Sequence, residues 1–237
     1  MMKCAILEAG VYKSVGLKTL MATLQLRQIR VPEGQTLEIQ DVSWSEFDSI
    51  LQELGENRNT RIAYGNETLI IVAPMPAHEF AKVCIGDFIK IILEELDQPY
   101  LSLGSTTFKN DAMNKAVEPD DCFYIRQYKK VLGKARLDLQ VDPPPELAIE
   151  IDIISKTQLQ AYEGLGVGEL WRYDEQHLMI YVLVNGKYRE VEQSPTFPSW
   201  FTKQVIEQFV ARALVISPGM AKKEFRQWVM TQLSNAS

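Results

Sequence analysis

Residues 146–156, ELAIEIDIISK, restrict the fold more than any other segment of the chain. Aliphatic side chains alternate with mostly acidic ones, and because neighbouring side chains of a strand point to opposite faces, the pattern predicts a β-strand with one core face. The other face carries Glu146, Ala148, Glu150 and Asp152. A solvated face is one interpretation, since antiparallel sheets often expose one side to water. Mg²⁺ or Mn²⁺ is the other, because carboxylates in alternate positions repel one another unless a cation lies between them.

Helices and strands are predicted to alternate along the rest of the chain. Apolar residues at helical spacing predict helices near 44–54, 78–96 and 156–164, and two more between 201 and 237. Asn185-Gly186 lies between alternating apolar runs and predicts a β-hairpin. The element order favours an α/β protein, with a mixed sheet flanked by helices. We expect an N-terminal arm at 1–40, one domain at 41–200, and C-terminal helices at 201–237 that pack on the domain or extend from it.

The composition favours a cytoplasmic protein. The 237 residues are 46% hydrophobic, enough for a substantial core, and no apolar run is long enough to predict a membrane span or a secretory signal. Three widely separated cysteines predict neither a disulfide framework nor a paired-cysteine metal site. The net charge of -6 argues against a surface that attracts nucleic acid everywhere. Residues 124–136 combine several lysines and arginines with two tyrosines and contain no acid, so a local phosphate-binding surface and a solvated loop are both open interpretations.

A second acidic segment, VEPDDCFYI at 117–125, offers further oxygen ligands in Glu118, Asp120 and Asp121. An ordinary acidic turn is the alternative, because Pro-Asp is frequent in turns. Combined with Glu150 on the following strand and a lysine soon after it, the Pro-Asp pair forms a constellation that resembles the core of PD-(D/E)XK nucleases.

More closely, the chain resembles the Uma2-like family, a branch of the restriction-endonuclease-like superfamily. The resemblance runs from about Trp44 to Asp174, and its most specific segments are PPPELAIEIDIISK and YEGLGVGELWRYD. It implies a restriction-endonuclease-like core, here with an added β-hairpin and C-terminal helices, and hydrolysis of phosphodiester bonds in DNA with Mg²⁺ or Mn²⁺. Asp120 and Glu150 would be the metal-binding carboxylates, with Asp152 as a further ligand. A homodimer is plausible for this class.

The catalytic lysine departs from the superfamily pattern. A lysine is expected two residues after Glu150, where this chain has Asp152, or four residues before Tyr162, where it has Gln158. We therefore assign the catalytic lysine to Lys156, with an ordinary lysine at a helix start as the alternative. Glu79 and Gln158 are accessory candidates. Ser155 and Gln158 also match a capping box, which predicts that a helix begins here.

Two other functions remain open. A catalytically degenerate nuclease fold that serves as a binding or assembly module would fit the displaced lysine and the acidic composition. A glycoside hydrolase using two carboxylates is compatible with the residue types, but no motif supports it.

Overall fold

The computed structural model describes residues 28–55, 58–151, 155–174 and 176–236. From Val31 onward the chain forms one compact unit. Its strands are β1 (Thr36–Ile39), β2 (Arg61–Gly65), β3 (Thr68–Val72), β4 (Leu101–Ser102), β5 (Phe108–Asn110), β6 (Lys115–Val117), β7 (Asp121–Tyr124), β8 (Leu147–Ile151), β9 (Glu169–Asp174), β10 (His177–Val184) and β11 (Lys187–Val191). Its helices are α1 (Trp44–Leu54), α2 (Pro76–Glu95), α3 (Tyr128–Val131), α4 (Lys156–Leu165), α5 (Lys203–Ile216) and α6 (Pro218–Ala236).

The strands form two sheets. The first has the order β1-β3-β2-β6-β5, and every neighbouring pair in it is antiparallel. The second has the order β11-β10-β9-β8-β7-β4, with β8 and β9 as its parallel pair. Helix α4 connects those two strands, because parallel neighbours need a crossover rather than a tight turn. The predicted mixed α/β architecture is confirmed, although its strands are divided between two sheets.

Three apolar clusters set the order of the layers. Helix α1 packs Phe47 against Tyr64 on the outer face of the first sheet. A middle cluster joins Ala63 of β2, Ala148 of β8 and Tyr162 of α4, so α4 packs between the two sheets. The largest cluster lies on the far face of the second sheet, under α2, α5 and α6. The first sheet therefore packs against α1 on its outer face and against α4 on its inner face. The second sheet packs against α4 on one face and against α2, α5 and α6 on the other.

The helix ends follow from capping residues. Ser43 caps α1: its Oγ accepts from the Glu46 N–H at 3.3 Å, and its N–H donates to the Glu46 carboxylate at 2.8 Å. The same reciprocal bonds link Ser155 and Gln158 at the start of α4, at 3.1 and 2.9 Å, which confirms the predicted capping box. Helix α4 ends at Gly166, whose φ of 80° is in the left-handed region.

The C-terminal helices pack on the domain. Phe225 of α6 is fully buried and its ring centroid lies 4.8 Å from that of Phe88 of α2. Lys222 and Arg226 of α6 form ion pairs with acids of α2, at 2.9 Å to Asp87 and 2.6 Å to Glu94. Within the described ranges, no helix has the length and apolar character needed to cross a membrane.

One boundary and one strand differ from the sequence-based expectations. Thr36–Ile39 was assigned to the N-terminal arm, but it pairs with β3 as β1 and so extends the first sheet. Residues 1–27 of that arm lie outside the described residues. Strand β6 was not predicted, because its three residues carry no alternating pattern. The Asn185-Gly186 hairpin is confirmed, with both residues at positive φ, 51° and 75°, as a type I′ turn requires.

Strand β8 is buried on both faces. It pairs with β7 on one side and β9 on the other. Leu147 and Ile149 face the cluster under α2, whereas Ala148 faces the cluster under α4. Glu150 shares the face of Ala148 and is only 5% exposed. The interpretation of this face as a solvated one, with Glu150 pointing outward, is therefore wrong, because α4 and the first sheet cover it.

Candidate active site

The site lies where the chain passes from the first sheet to the second. Glu118 follows β6 and its N–H donates to the Ile62 carbonyl of the first sheet at 3.0 Å. Two residues later, the Asp120 N–H donates to the Ile149 carbonyl of the second sheet at 3.0 Å. Pro119 is the residue between them. This crossing brings β2 of one sheet close to β7 and β8 of the other.

Asp120 and Glu150 form a buried carboxyl pair at this crossing. They are 8% and 5% exposed, and Asp120 lies close enough to Glu150 to raise the pKa of its carboxyl group. Asp120 Oδ2 also accepts from the Ile151 N–H at 2.9 Å. Glu150 Oε1 accepts from the hydroxyl of Tyr162, a fully buried residue of α4. Each carboxyl group is thus oriented by a donor from the surrounding fold.

The electrostatic state of the pair follows from its burial. Burial raises the pKa of Glu150 well above its ordinary value, and the nearby Asp120 charge raises it further. Burial also raises the pKa of Asp120, against the Ile151 N–H and the positive charges of Arg61 and Lys82, which lower it. Ionising two adjacent carboxyl groups in a poorly solvated site has a high free-energy cost. The pair therefore retains a proton unless a cation takes its place.

Two cations approach the pair from different elements. Arg61 lies on the same face of β2 as Ala63, which packs between the sheets, so Arg61 approaches from the first sheet. Lys82 approaches from α2. Glu79, also on α2, lies between them, with its carboxylate 3.8 Å from Arg61 Nη2 and 2.5 Å from Lys82 Nζ. Arg61 and Lys82 are each 19% exposed.

Helix α2 contacts the acidic segment closely. A Cβ atom at Gly86 would lie 2.6 Å from Asp121 Oδ2, which is closer than two such atoms can approach. Asp121 is buried, and its Oδ1 accepts from the Ser102 hydroxyl at 3.1 Å and from the Cys122 N–H at 2.8 Å. Asp121 is therefore held by β4 and by its own strand, against the glycine of α2.

Other residues singled out in the sequence lie elsewhere. Glu118 pairs with Arg58 and accepts from the Ile62 N–H at 3.1 Å, so it is bound within the first sheet. Gln158 is buried as the capping residue of α4. Lys156 is exposed on the first turn of α4, and no described contact joins it to the carboxyl pair. Asp152 lies outside the described residues. Among the residues that the structure does describe, no three His, Cys, Asp or Glu side chains converge on a common cation position.

A cavity of about 840 Å³ borders the site on the side of the first sheet. Its basic lining residues are Arg58, Arg61, Lys109 and Arg136, and four acidic side chains balance them, Glu118 among them. Arg136 is the last residue of the basic stretch at 124–136. A phosphate-binding surface and a solvated loop were both open interpretations of that stretch. Arg136 lines this cavity together with Arg61, whereas Asp120 and Glu150 are not among its lining residues.

Arg61, Lys82 and Tyr162 were not predicted from the sequence as residues of the site. Tyr162 was used only to count back to the expected lysine position. Arg61 and Lys82 are far from the motif in the chain, and an arginine at a strand start or a lysine on a helix is unremarkable alone. A weak signal exists in Arg61, which is a charged residue on the buried face of an otherwise apolar strand.

Comparison with known proteins places the chain in a family. A model of the Uma2 family, described as "Putative restriction endonuclease", matches residues 44–213. A crystal structure from Anabaena variabilis, described as a "putative nuclease belonging to DUF820", is similar in fold. The identity is 14% and the TM-score 0.50, over 71% of this chain and 99% of that one. No curated protein matches the sequence significantly. Because the family model covers most of the chain, this protein belongs to the Uma2 family.

Proposed function

We propose that this protein is a metal-dependent endonuclease that hydrolyses phosphodiester bonds in DNA. The observation that carries the proposal is the buried Asp120–Glu150 pair, which the fold brings together from the residue before β7 and from β8, beside two cations. The description of the Uma2 family supports the reaction class. Paired buried carboxyl groups are costly to a fold, and they are typical of sites that bind a cation or transfer a proton.

The carboxyl pair fits Mg²⁺ or Mn²⁺. Hard divalent cations prefer oxygen ligands, and Mg²⁺ is commonly held by one or two carboxylates while water and substrate phosphate complete its shell. Asp120 and Glu150 would hold the ion, and Asp152 stays a predicted further ligand. A bound ion would supply a polarised phosphate and a water of lowered pKa.

The chain's own residues orient and balance this site. Tyr162 fixes Glu150 through its hydroxyl, and the Ile151 N–H fixes Asp120. Arg61 and Lys82 place positive charge beside the pair, where a phosphodiester would develop extra negative charge during hydrolysis. The proposed catalytic role of Lys156 stays a prediction.

Cleavage assays test the proposal directly. Supercoiled plasmid and single-stranded DNA are incubated with the protein and Mn²⁺ or Mg²⁺, alongside Asp120→Ala and Glu150→Ala. We expect metal-dependent cutting that either substitution abolishes. Glu190→Ala, an exposed acid of the hairpin, is the matched control and should cut normally.

The alternative function has its own signature in the same assay. DNA that is bound but not cut, with no change of thermal stability on adding Mn²⁺, would favour a degenerate binding module. Cutting that persists in Asp120→Ala would point to a contaminating nuclease or a different site. A homodimer is part of the proposal and is tested by light scattering.

A further inference from the structure

We propose that Lys82 of α2 supplies the active-site ammonium group that the superfamily pattern places on the carboxylate strand, and that Glu79 positions it together with Arg61. This assignment rests on the proposed nuclease function and specifies how its site is completed.

The first support is the face that α2 turns toward the site. Glu79, Lys82 and Gly86 recur at helical spacing and therefore share one side of the helix. Gly86 lies directly against the Asp121 carboxylate. Lys82 is one turn before Gly86, on the side of the chain crossing, and most of its surface is buried. Lys82 therefore lies on the side of α2 that faces the acidic segment, and its positive charge lowers the pKa of both Asp120 and Asp121.

The second support is the bridge that Glu79 forms. Its carboxylate contacts Lys82 Nζ at 2.5 Å and Arg61 Nη2 at 3.8 Å, and thereby ties α2 to the first sheet beside the carboxyl pair. The positive charges of Lys82 and Arg61 both lower the pKa of Asp120, against the larger effect of its burial. Glu79, an accessory candidate by sequence, is in this arrangement the acceptor that holds the two cations.

The third support is spare hydrogen-bonding capacity. An ammonium group has three N–H donors. Among the described residues, Lys82 forms an ion pair with Glu79 only. Arg61 Nε is buried and has no hydrogen-bond partner among the described residues. A buried donor without an acceptor is costly unless a ligand satisfies it. Both cations can therefore bind phosphate oxygens without breaking the bridge.

The test compares lysines by the same substitution. Lys82→Met removes the charge and keeps the aliphatic stem, while Lys156→Met removes the lysine predicted from sequence. Lys90→Met is the matched control on α2, where the lysine pairs with Asp87. Plasmid cleavage with Mn²⁺ is measured for each, and Mn²⁺ affinity is measured by calorimetry on the protein without DNA. Thermal unfolding confirms that each variant is folded.

Lys82→Met is expected to slow cleavage by about 100-fold, the usual effect of losing one group that stabilises transition-state charge. It should also bind Mn²⁺ roughly fivefold more tightly, because a positive charge beside the ligands has been removed. Lys90→Met should change neither quantity, and Lys156→Met should leave Mn²⁺ affinity unchanged.

The two proposals fail in different ways. Normal cleavage and unchanged Mn²⁺ affinity in Lys82→Met would overturn the assignment of Lys82 alone, as would loss of cleavage in Lys156→Met with Lys82→Met active. A wild-type protein that binds Mn²⁺ but cuts no DNA would refute the proposed function, while the calorimetric comparison would still decide where Lys82 acts. A wild-type protein that neither binds Mn²⁺ nor cuts overturns both.

Discussion

Replacing the ionisable carboxyl group of Glu150 with a neutral amide should make the metal-free protein more stable. Glu150→Gln keeps the size of the side chain and an oxygen that can accept from the Tyr162 hydroxyl. It removes the ionisable group that burial and the Asp120 charge make costly. The proposed role of Glu150 as a metal ligand would account for this cost, because sites selected for activity are often not optimal for stability.

The stability difference between Glu150→Gln and the wild type should grow as the pH rises. The folded-state pKa of Glu150 is raised above the ordinary 4.5 by burial and by Asp120, so the folded chain keeps a proton that the unfolded chain loses. Wild-type stability therefore falls as pH rises above 4.5, by at most about 1.4 kcal/mol per pH unit, until the folded-state pKa is passed. Glu150→Gln lacks this loss.

Urea unfolding in EDTA at a series of pH values measures the difference in free energy of unfolding between the wild type and Glu150→Gln. We expect no gap between the two proteins below pH 4.5 and a gap that widens as the pH rises above it. Mn²⁺ should then stabilise the wild type and leave Glu150→Gln unchanged.

Glu146→Gln is the matched control. Glu146 is also buried at the start of the same strand, but its two oxygens accept from the Ile125 and Gln127 N–H groups at 3.0 and 2.8 Å. An amide nitrogen cannot accept, so this substitution should destabilise by about 1–3 kcal/mol. If Glu150→Gln destabilised the protein equally at every pH, the proton-retaining pair would be refuted.

Three further predictions concern packing. Gly86→Ala should destabilise by about 1–3 kcal/mol in urea unfolding despite the better helix propensity of alanine, because the new Cβ would collide with Asp121; a gain would contradict the contact. Phe225→Ala should cost about 3–5 kcal/mol in the same assay, while truncating the exposed Met230 should be nearly neutral; equal effects would mean that α6 does not dock as described. Ser155→Ala should lower thermal stability by about 1 kcal/mol, and an unchanged Tm would argue against the cap.

The parts of the fold that sequence predicts are those specified by local chemistry. The capping box at Ser155 and the Asn185-Gly186 hairpin depend on neighbouring residues, and both are confirmed. The alternation in β8 also predicted its core face correctly. The burial of the second face could not be predicted, since a strand's own residues do not reveal what packs over them. The division into two sheets depends on pairings of short strands such as β6, which carry little local signal.

The candidate site shows the same limit. Asp120 and Glu150 could be proposed from sequence because each lies in a recognisable acidic segment. The cations that act on them come from α2 and from the first sheet, and only the packing of these elements brings Arg61 and Lys82 together. Chain proximity pointed to Lys156, which the structure leaves exposed at a helix start.

The chain passes from the first sheet to the second at Pro119, so the site requires both sheets to be folded. The carboxyl pair belongs to the second sheet and Arg61 belongs to the first, so neither half of the molecule contains a complete constellation. A partly folded chain, or one in which the first sheet has opened locally, would keep the acids and lose the arginine. The complete set of site residues therefore exists only in the fully folded chain. Any chemistry that needs both the acids and the arginine is confined to that state.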